Sequence, residues 1–402
     1  MPKLYAYVGN WSFEAHPAKG KGISVFEYGP EDSSLRLIET IRPDVAAGQL
    51  FLDSGRRVLY AVNECGERRG EIGGGGYVLA FRIDPKTGKL TCLSERDSLL
   101  PEPSYLTMDA EHRHLITCHC ADPFHVTKIV RRPDGSFGNE VLFDDTALVM
   151  FRINDDGSIG EVCDVFKTAG GYPDNPNCRA SVDPVTGHIQ LVEVISRLHA
   201  VVASPSGKLF IACDKGMDKI YSFAIEDGKL VKKDEFAAEV RTFPRYAAFH
   251  PALPVVYCNN EFAPTLNVLR YDEAGGGLER IYYMPVVFRD YGLVDGKPVG
   301  AQDILVNERA SALYISLCGI NEIAVLSLDG SGIPTLVQSV PAGGDLPRGL
   351  CLSPDGRFLL SGNMVSGDIT AFAVQPDGTL APTGRVYEAV SPSAIRFFEA
   401  EE

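Results

Sequence analysis

A short apolar stretch recurs seven times along the 402-residue chain, and no other feature narrows the possible folds as far. The copies lie at residues 23–26, 78–81, 148–151, 220–223, 267–269, 323–326 and 369–372, spaced 46 to 72 residues apart at their last members. Turns such as Asp156-Gly157, Asp227-Gly228 and Asp377-Gly378 follow, and Asp-Gly is hairpin chemistry because it tolerates positive φ. A second apolar strand precedes each copy, at 59–64, 115–120, 210–215, 256–261, 313–318 and 359–364, with 6–11 as the seventh. A further short strand stands ahead of the internal ones, as at 348–352. Seven units of four strands predict an all-β, seven-bladed β-propeller. Residues 393–398 read as an innermost strand without a successor, and the N-terminal strand has no predecessor. Pairing the two in one blade closes the ring and removes two sheet edges. The expected domain is a single propeller over 1–402, with insertions near 121–146 and 168–196. Two β-sandwiches would share the regular strand spacing but leave seven matched units unexplained.

Composition narrows the partners. Glycine (40) and proline (26) together exceed the usual share, which suits a turn-rich chain. The net charge of −15, with no Lys/Arg-rich run, argues against nucleic acid or an anionic membrane and leaves a small molecule as the expected partner. No apolar run approaches the ~18 residues of a membrane span, and the N-terminus lacks the apolar core of a secretory signal, so a cytoplasmic location is expected. The ten cysteines form no CxxC pair and are read as reduced thiols. Cys118-His119-Cys120 with His125 is poor zinc spacing and is read as a packed strand. Insertions on one face of a repeat fold line a binding rim or remain surface loops, and the sequence leaves both open.

Antiparallel pairing places the start of each innermost strand beside the end of the second. Strand starts then supply Tyr105, His199, Arg245, Asp303 and Arg348 to one rim, and strand ends supply Glu64, His119, Lys215, Glu261 and Cys318. Radial symmetry points them at one axial pocket. Asp214 and Asp218 are expected to fix a turn through side-chain to backbone bonds.

The chain resembles the lactonase family of seven-bladed propellers, the family of 6-phosphogluconolactonase and the carboxymuconate lactonizing enzyme. Tyr7-Val8-Gly9, Leu59-Tyr60-Ala61-Val62-Asn63-Glu64, His199 six residues before Pro205 and Asp214-Lys215-Gly216-Met217-Asp218 carry the resemblance. Pro244-Arg245, Phe249-His250-Pro251, Asn260-Glu261, Pro347-Arg348 and Ser353-Pro354-Asp355-Gly356 complete it. The resemblance implies catalytic roles for His199, Arg245 and Glu261, and placement at the rim adds Arg348, Glu64, His119, Lys215 and Asp303 as substrate-binding candidates. A further family arginine falls where this chain has Cys318. A thiol cannot pair bidentately with a phosphate or carboxylate as arginine does. Arg289, Lys297 and Lys215 are the cations available to replace it.

Opening a lactone needs an activated water, a stabilised oxyanion and a protonated leaving oxygen. Glu261 or His199 could accept the water's proton, Arg245 could hold the carbonyl oxygen, and the other of the pair could protonate the leaving group. No metal or organic cofactor is expected. No G-x-S-x-G motif is present, which speaks against an acyl-enzyme. The expected function is hydrolysis of a small sugar-type lactone. The alternatives are a cycloisomerase of the carboxymuconate lactonizing type and a non-enzymatic ligand-binding propeller.

Overall fold

Alternating apolar strands of four to nine residues, punctuated by tight turns, fold locally into antiparallel sheets whose two faces both need cover. In the computed structural model they find it by stacking around an axis. The structure describes residues 3–11, 22–65, 67–68, 71–72, 75–120, 125–168, 179–182, 189–192, 195–294, 296–309 and 311–400. Seven four-stranded antiparallel sheets form the blades. From the axis outwards, the first blade is Leu50–Asp53, Val58–Asn63, Tyr77–Ile83 and Leu90–Asp97. The second is Pro103–Met108, His114–His119, Ala147–Ile153 and Ile159–Lys167, and the third is Leu198–Ala203, Leu209–Asp214, Lys219–Glu226 and Lys229–Ala237. The fourth is Pro244–Phe249, Val255–Asn260, Thr265–Tyr271 and Leu278–Pro285, and the fifth is Gly300–Val306, Ala312–Cys318, Glu322–Leu328 and Pro334–Pro341. The sixth is Pro347–Leu352, Phe358–Asn363, Asp368–Val374 and Leu380–Glu388. The seventh joins Pro392–Glu399 to Leu4–Asn10, Gly22–Gly29 and Ser34–Ile41. Each innermost strand touches that of the next blade all the way round. No helix occurs among the described residues.

Burial follows the radius. The second strand Val58–Asn63 is buried at every position, whereas the outer strand Leu90–Asp97 is largely exposed or half-buried. Two polar devices tie blade to blade. A tyrosine hydroxyl on the second strand donates to a glycine carbonyl in the outer turn of the next blade: Tyr7 to Gly88 (2.9 Å), Tyr60 to Gly157 (2.7 Å), Tyr257 to Gly332 (2.7 Å) and Tyr314 to Gly378 (2.8 Å). All four glycines have positive φ, between 66° and 86°, which a side chain would oppose. Nearer the surface, an outer-strand side chain accepts a backbone N–H at the start of the next outer strand. Ser94 holds Ile159, Asp164 holds Leu230, Asp234 holds Leu278 and Gln338 holds Leu380.

The ring closes as the repeat arithmetic requires. Leu4–Asn10 pairs antiparallel with Pro392–Glu399, with Tyr5 opposite Phe398 and Val8 opposite Ile395. The expected insertion near 121–146 contains an antiparallel hairpin of His125–Arg131 with Phe137–Phe143, placed between the second and third strands of its blade. Of the insertion near 168–196, the strand pair Arg179–Val182 and Ile189–Val192 is described, together with its flanks; its remaining residues lie outside the described ones.

Candidate active site

The rim is built by one local irregularity repeated from blade to blade. Pairing of the two innermost strands skips one residue near the strand start: Ser104, His199, Arg245, Arg348 and Ser393 are the skipped residues of their blades. A bulge of this kind re-aims a side chain that strict alternation would place elsewhere. Two residues upstream of four of them the backbone is left-handed at a non-glycine residue: Glu102 (φ 50°), Phe243 (φ 60°), Leu346 (φ 56°) and Ser391 (φ 58°). Such backbone costs energy and persists where the surroundings fix it. The fixing is visible. The carbonyls of Glu102, Phe243, Leu346 and Ser391 accept the backbone N–H that follows the second strand, from Cys120, Glu261, Met364 and Trp11 at 2.8–3.1 Å. Arg197 and Ala46 do the same for Lys215 and Glu64. Glu64, Lys215, Glu261 and Trp11 therefore occupy equivalent places, and Gly48 stands where other blades carry His199, Arg245 and Arg348.

Asp214 and Asp218 hold this rim in position, as the turn chemistry led us to expect. Asp214 Oδ1 accepts the backbone N–H of Arg197, Gly216 and Met217, and its Oδ2 accepts the Ser196 hydroxyl at 2.5 Å. Asp218 accepts the N–H groups of Arg241, Thr242 and Phe243, the segment leading into Arg245.

Four of the expected site residues converge in one cluster. Lys215 Nζ donates to Glu261 Oε2 at 2.6 Å, and Arg245 Nε lies 3.4 Å from Glu261 Oε1. The Arg245 side chain is 1% exposed, Lys215 8% and Glu261 11%. Burial alone would raise the Glu261 carboxyl, but Lys215 and Arg245 outweigh it and hold it at about 2. Glu261 is thus a fixed anion at any ordinary pH. Arg245 also donates to the Gln302 carbonyl at 2.8 Å and lies 4.5 Å over the Tyr246 ring. His199 packs against the same ring at 5.4 Å, and its Nδ1 has no hydrogen-bond partner among the described residues. Burial first, then Arg245 and Lys215, push its imidazolium form far down, so the ring is neutral.

A second charged pair faces the same channel. Arg348 Nη2 lies 3.4 Å from Glu64 Oε2, and its guanidinium stacks 4.0 Å over the Trp11 ring. Both side chains of the pair are 8% exposed. Here burial outweighs the arginine, and the Glu64 carboxyl is raised to about 7. Two carboxyls in one site are thus driven in opposite directions, Glu64 upward by burial and Glu261 downward by its two cations.

Other expected residues are engaged by the fold. His119 is fully buried, with Nδ1 3.0 Å from the Pro101 carbonyl and Nε2 3.2 Å from the Thr117 hydroxyl, and burial lowers it to about 4. Asp303 accepts the backbone N–H groups of Ile304 and Leu350, tying two innermost strands together. Tyr105 packs edge-on against Tyr246 at 5.1 Å. Cys318 accepts a hydrogen bond from Gln302 Nε2 at 3.3 Å, and Glu261, after burial, helps raise its thiol. Of the three cations considered in place of the family arginine, Lys215 is in the cluster. Arg289 stacks on Tyr291 in an exposed loop, and the Lys297 side chain lies outside the described residues. Trp11, Tyr246 and Gly48 belong to the site and were not among the candidates. The signal for Trp11 was present, since it ends its strand as Glu64 and Glu261 follow theirs. A cavity of about 650 Å³ reaches the far end of the channel past Asp303, Leu350 and Arg396, and none of His199, Arg245, Glu261 and Glu64 lines it.

Comparison with known proteins agrees with the fold. The family described as "Lactonase, 7-bladed beta-propeller" matches residues 5–397. The chain is 24% identical to a 6-phosphogluconolactonase of Bacillus subtilis over 379 residues, 92% of this chain and 91% of that one. It is 22% identical to a 6-phosphogluconolactonase of Formosa agariphila, covering 88% of each. Among solved structures, the periplasmic gluconolactonase of Pseudomonas aeruginosa superposes with a TM-score of 0.78 at 22% identity, covering 99% of this chain and 100% of the other.

Proposed function

The chain belongs to the lactonase family of seven-bladed β-propellers, and from that premise we propose that it hydrolyses a small sugar-type lactone, of the 6-phosphogluconolactone kind, at the axial rim cluster. The observation that carries this reading is the meeting of a neutral imidazole, its Nδ1 unpaired, with a buried cation pair: His199 beside Arg245 and Lys215. The two relatives bearing the 6-phosphogluconolactonase name over most of their length support the substrate class.

Each group has a distinct task. Arg245 and Lys215, anchored on Glu261, present positive charge where a lactone carbonyl develops negative charge. In a buried site such preorganised charge acts without reorganisation. His199 accepts a proton from the attacking water. Burial holds the free imidazole down first and the cations add to it; an anionic substrate against those cations relieves their share and raises the basicity of His199 in the complex. Glu261, fixed as an anion, is the counter-charge that keeps two cations buried side by side, and not the base. Lys215 supplies positive charge beside the place where Cys318 replaces the family arginine.

The test is turnover of a panel of phosphorylated and unphosphorylated sugar lactones, with chelator present and spontaneous hydrolysis subtracted. We expect wild-type turnover, and a fall of about 10²–10⁴-fold in kcat for His199→Ala with unchanged thermal unfolding. Failure of the wild-type protein to exceed spontaneous opening on any lactone would sink the reading.

A further inference from the structure

We propose that Glu64 is the acid that protonates the leaving ring oxygen, and that Arg348, Trp11 and Gly48 position it for that step. The inference rests on the lactonase reading above and adds the proton donor which that reading leaves unassigned.

The two rim carboxyls differ in what they can do. Glu261 holds no proton to give, because Lys215 bonds one oxygen at 2.6 Å and Arg245 lies 3.4 Å from the other. Glu64 is held loosely by comparison. Its contacts with Arg348 are 3.4 and 3.5 Å, at the outer limit of hydrogen bonding. Its place is nevertheless enforced from three sides. Its backbone N–H donates to the Ala46 carbonyl at 2.9 Å. Arg348 is kept from swinging away by the indole of Trp11, 4.0 Å beneath its guanidinium. Gly48 supplies the room: a Cβ there would lie 1.9 Å from Glu64 Oε2. Where other blades project His199, Arg245 and Arg348 from this rim position, the first blade projects nothing, and the Glu64 carboxyl fills the space.

Burial is the largest influence on Glu64, followed by Arg348, then Glu102, Arg245 and Lys215. The balance leaves the group at about 7, so it carries a proton in an appreciable fraction of molecules at neutral pH and can also lose it. The step balances as follows. Water adds its oxygen to the lactone carbonyl carbon while His199 takes one of its protons. The bond from that carbon to the ring oxygen breaks, the electron pair stays on the ring oxygen, and the Glu64 proton completes the new hydroxyl. Glu64 is left as a carboxylate beside Arg348, and the proton on His199 restores it through solvent. The net reaction consumes one water and yields a hydroxy acid that ionises on release.

The experiment compares pH–rate profiles of the wild type, Glu64→Gln and Arg348→Met on two lactones. One has an aliphatic ring oxygen; the other, dihydrocoumarin, has a phenolic one that leaves without protonation. For the wild type on the aliphatic lactone, kcat is expected to fall above about pH 7, with no such limb on dihydrocoumarin. Glu64→Gln should lower kcat about 10²–10⁴-fold on the aliphatic lactone, abolish the limb and leave KM within a few-fold. The same variant should lose less than about tenfold on dihydrocoumarin, by the same logic. Arg348→Met removes the cation that lowers Glu64 and should move the limb to higher pH, a shift that simple structural damage does not produce. Because the wild-type comparison of the two lactones needs no variant, poor folding of Glu64→Gln does not remove the test. Equal limbs on both lactones, or a Glu64→Gln kcat within threefold of wild type, would overturn the role of Glu64 while leaving the lactonase reading intact. Absence of lactone turnover by the wild type would overturn both.

Discussion

Glu261→Gln is expected to destabilise the fold by about 3–5 kcal/mol, the range found when one partner of a buried ion pair is removed. The substitution keeps the volume and removes the charge, leaving Lys215 and Arg245 facing each other with side chains 8% and 1% exposed. Turnover should fall by at least about 10²-fold, since misplacing a positioning cation by an ångström has that effect. Adding Lys215→Met should return part of the stability and none of the activity, because the uncompensated cation is gone but the oxyanion site is not rebuilt. The same pair predicts an acid limb. Glu261 titrates at about 2 in the fold, below its unperturbed value of 4.5. Its contribution is therefore complete above pH 4.5 and is lost as pH falls towards 2. At 1.36 kcal/mol for each unit of displacement, this amounts to about 3 kcal/mol. Denaturant unfolding of wild type and Glu261→Gln at pH 7 and pH 3 reads both effects. A difference below 1 kcal/mol at pH 7 would show that the pair is not balanced as described.

Removal of residues 392–402 should abolish folding. The strand Pro392–Glu399 supplies the innermost member of the seventh blade and pairs with Leu4–Asn10 along its length. It buries Ala394, Ile395 and Phe398. Phe397 packs edge-on against Tyr28 at 4.8 Å. Ser393 Oγ lies 2.9 and 3.0 Å from the carbonyls of Gly9 and Ala47, where it ties the last blade to the first. At about 1.5–3 kcal/mol for each large buried side chain, Ile395 and Phe398 alone contribute roughly 3–6 kcal/mol. That is a large share of the net stability of a typical domain, about 5–15 kcal/mol. The truncated chain should therefore lack a cooperative thermal transition and elute as aggregate. A synthetic peptide of residues 390–402 added during refolding should recover folded protein. A truncated chain that melts cooperatively within a few degrees of the intact one would contradict the closure.

Much of this architecture was legible because its determinants are local. Asp-Gly turns and two-residue alternation identify the strands without reference to distant residues. Antiparallel adjacency alone then brings His199, Arg245, Lys215, Glu261, Glu64 and Arg348 to one rim. What was not legible depends on contacts far apart in sequence. The stack of Arg348 on Trp11 spans the ring closure. The space left by Gly48 has meaning only once Glu64 is known to fill it. The contrast between Glu64 and Glu261 depends on which cation reaches each carboxyl and at what distance. His119 and Asp303 sit at the expected places, but their polar atoms meet Pro101, Thr117, Ile304 and Leu350 instead of open channel, and periodicity carries no signal for that.

The straps between blades are unevenly distributed, and the consequence is mechanical. Tyrosine hydroxyls join the seventh blade to the first, the first to the second, the fourth to the fifth and the fifth to the sixth. Ser222 takes the same part between the third and fourth, donating to the Gly276 carbonyl at 2.5 Å. Among the described residues, neither kind of strap crosses from the sixth blade to the seventh. That seam is held at the surface by charge instead: Arg357 donates to the Pro30 carbonyl at 2.7 Å, and Arg385 pairs with Asp32 at 2.8 Å. Exposed ion pairs contribute little and weaken with ionic strength. Beneath that surface the seam is closed by apolar packing of Leu360, Ile369 and Ala371 with Val8, Phe26 and Ile395, so salt loosens its rim and not its interior. Arg348 stands on one side of that seam and Trp11, on which it stacks, stands on the other, so the arginine that faces Glu64 is itself one of the ties across it.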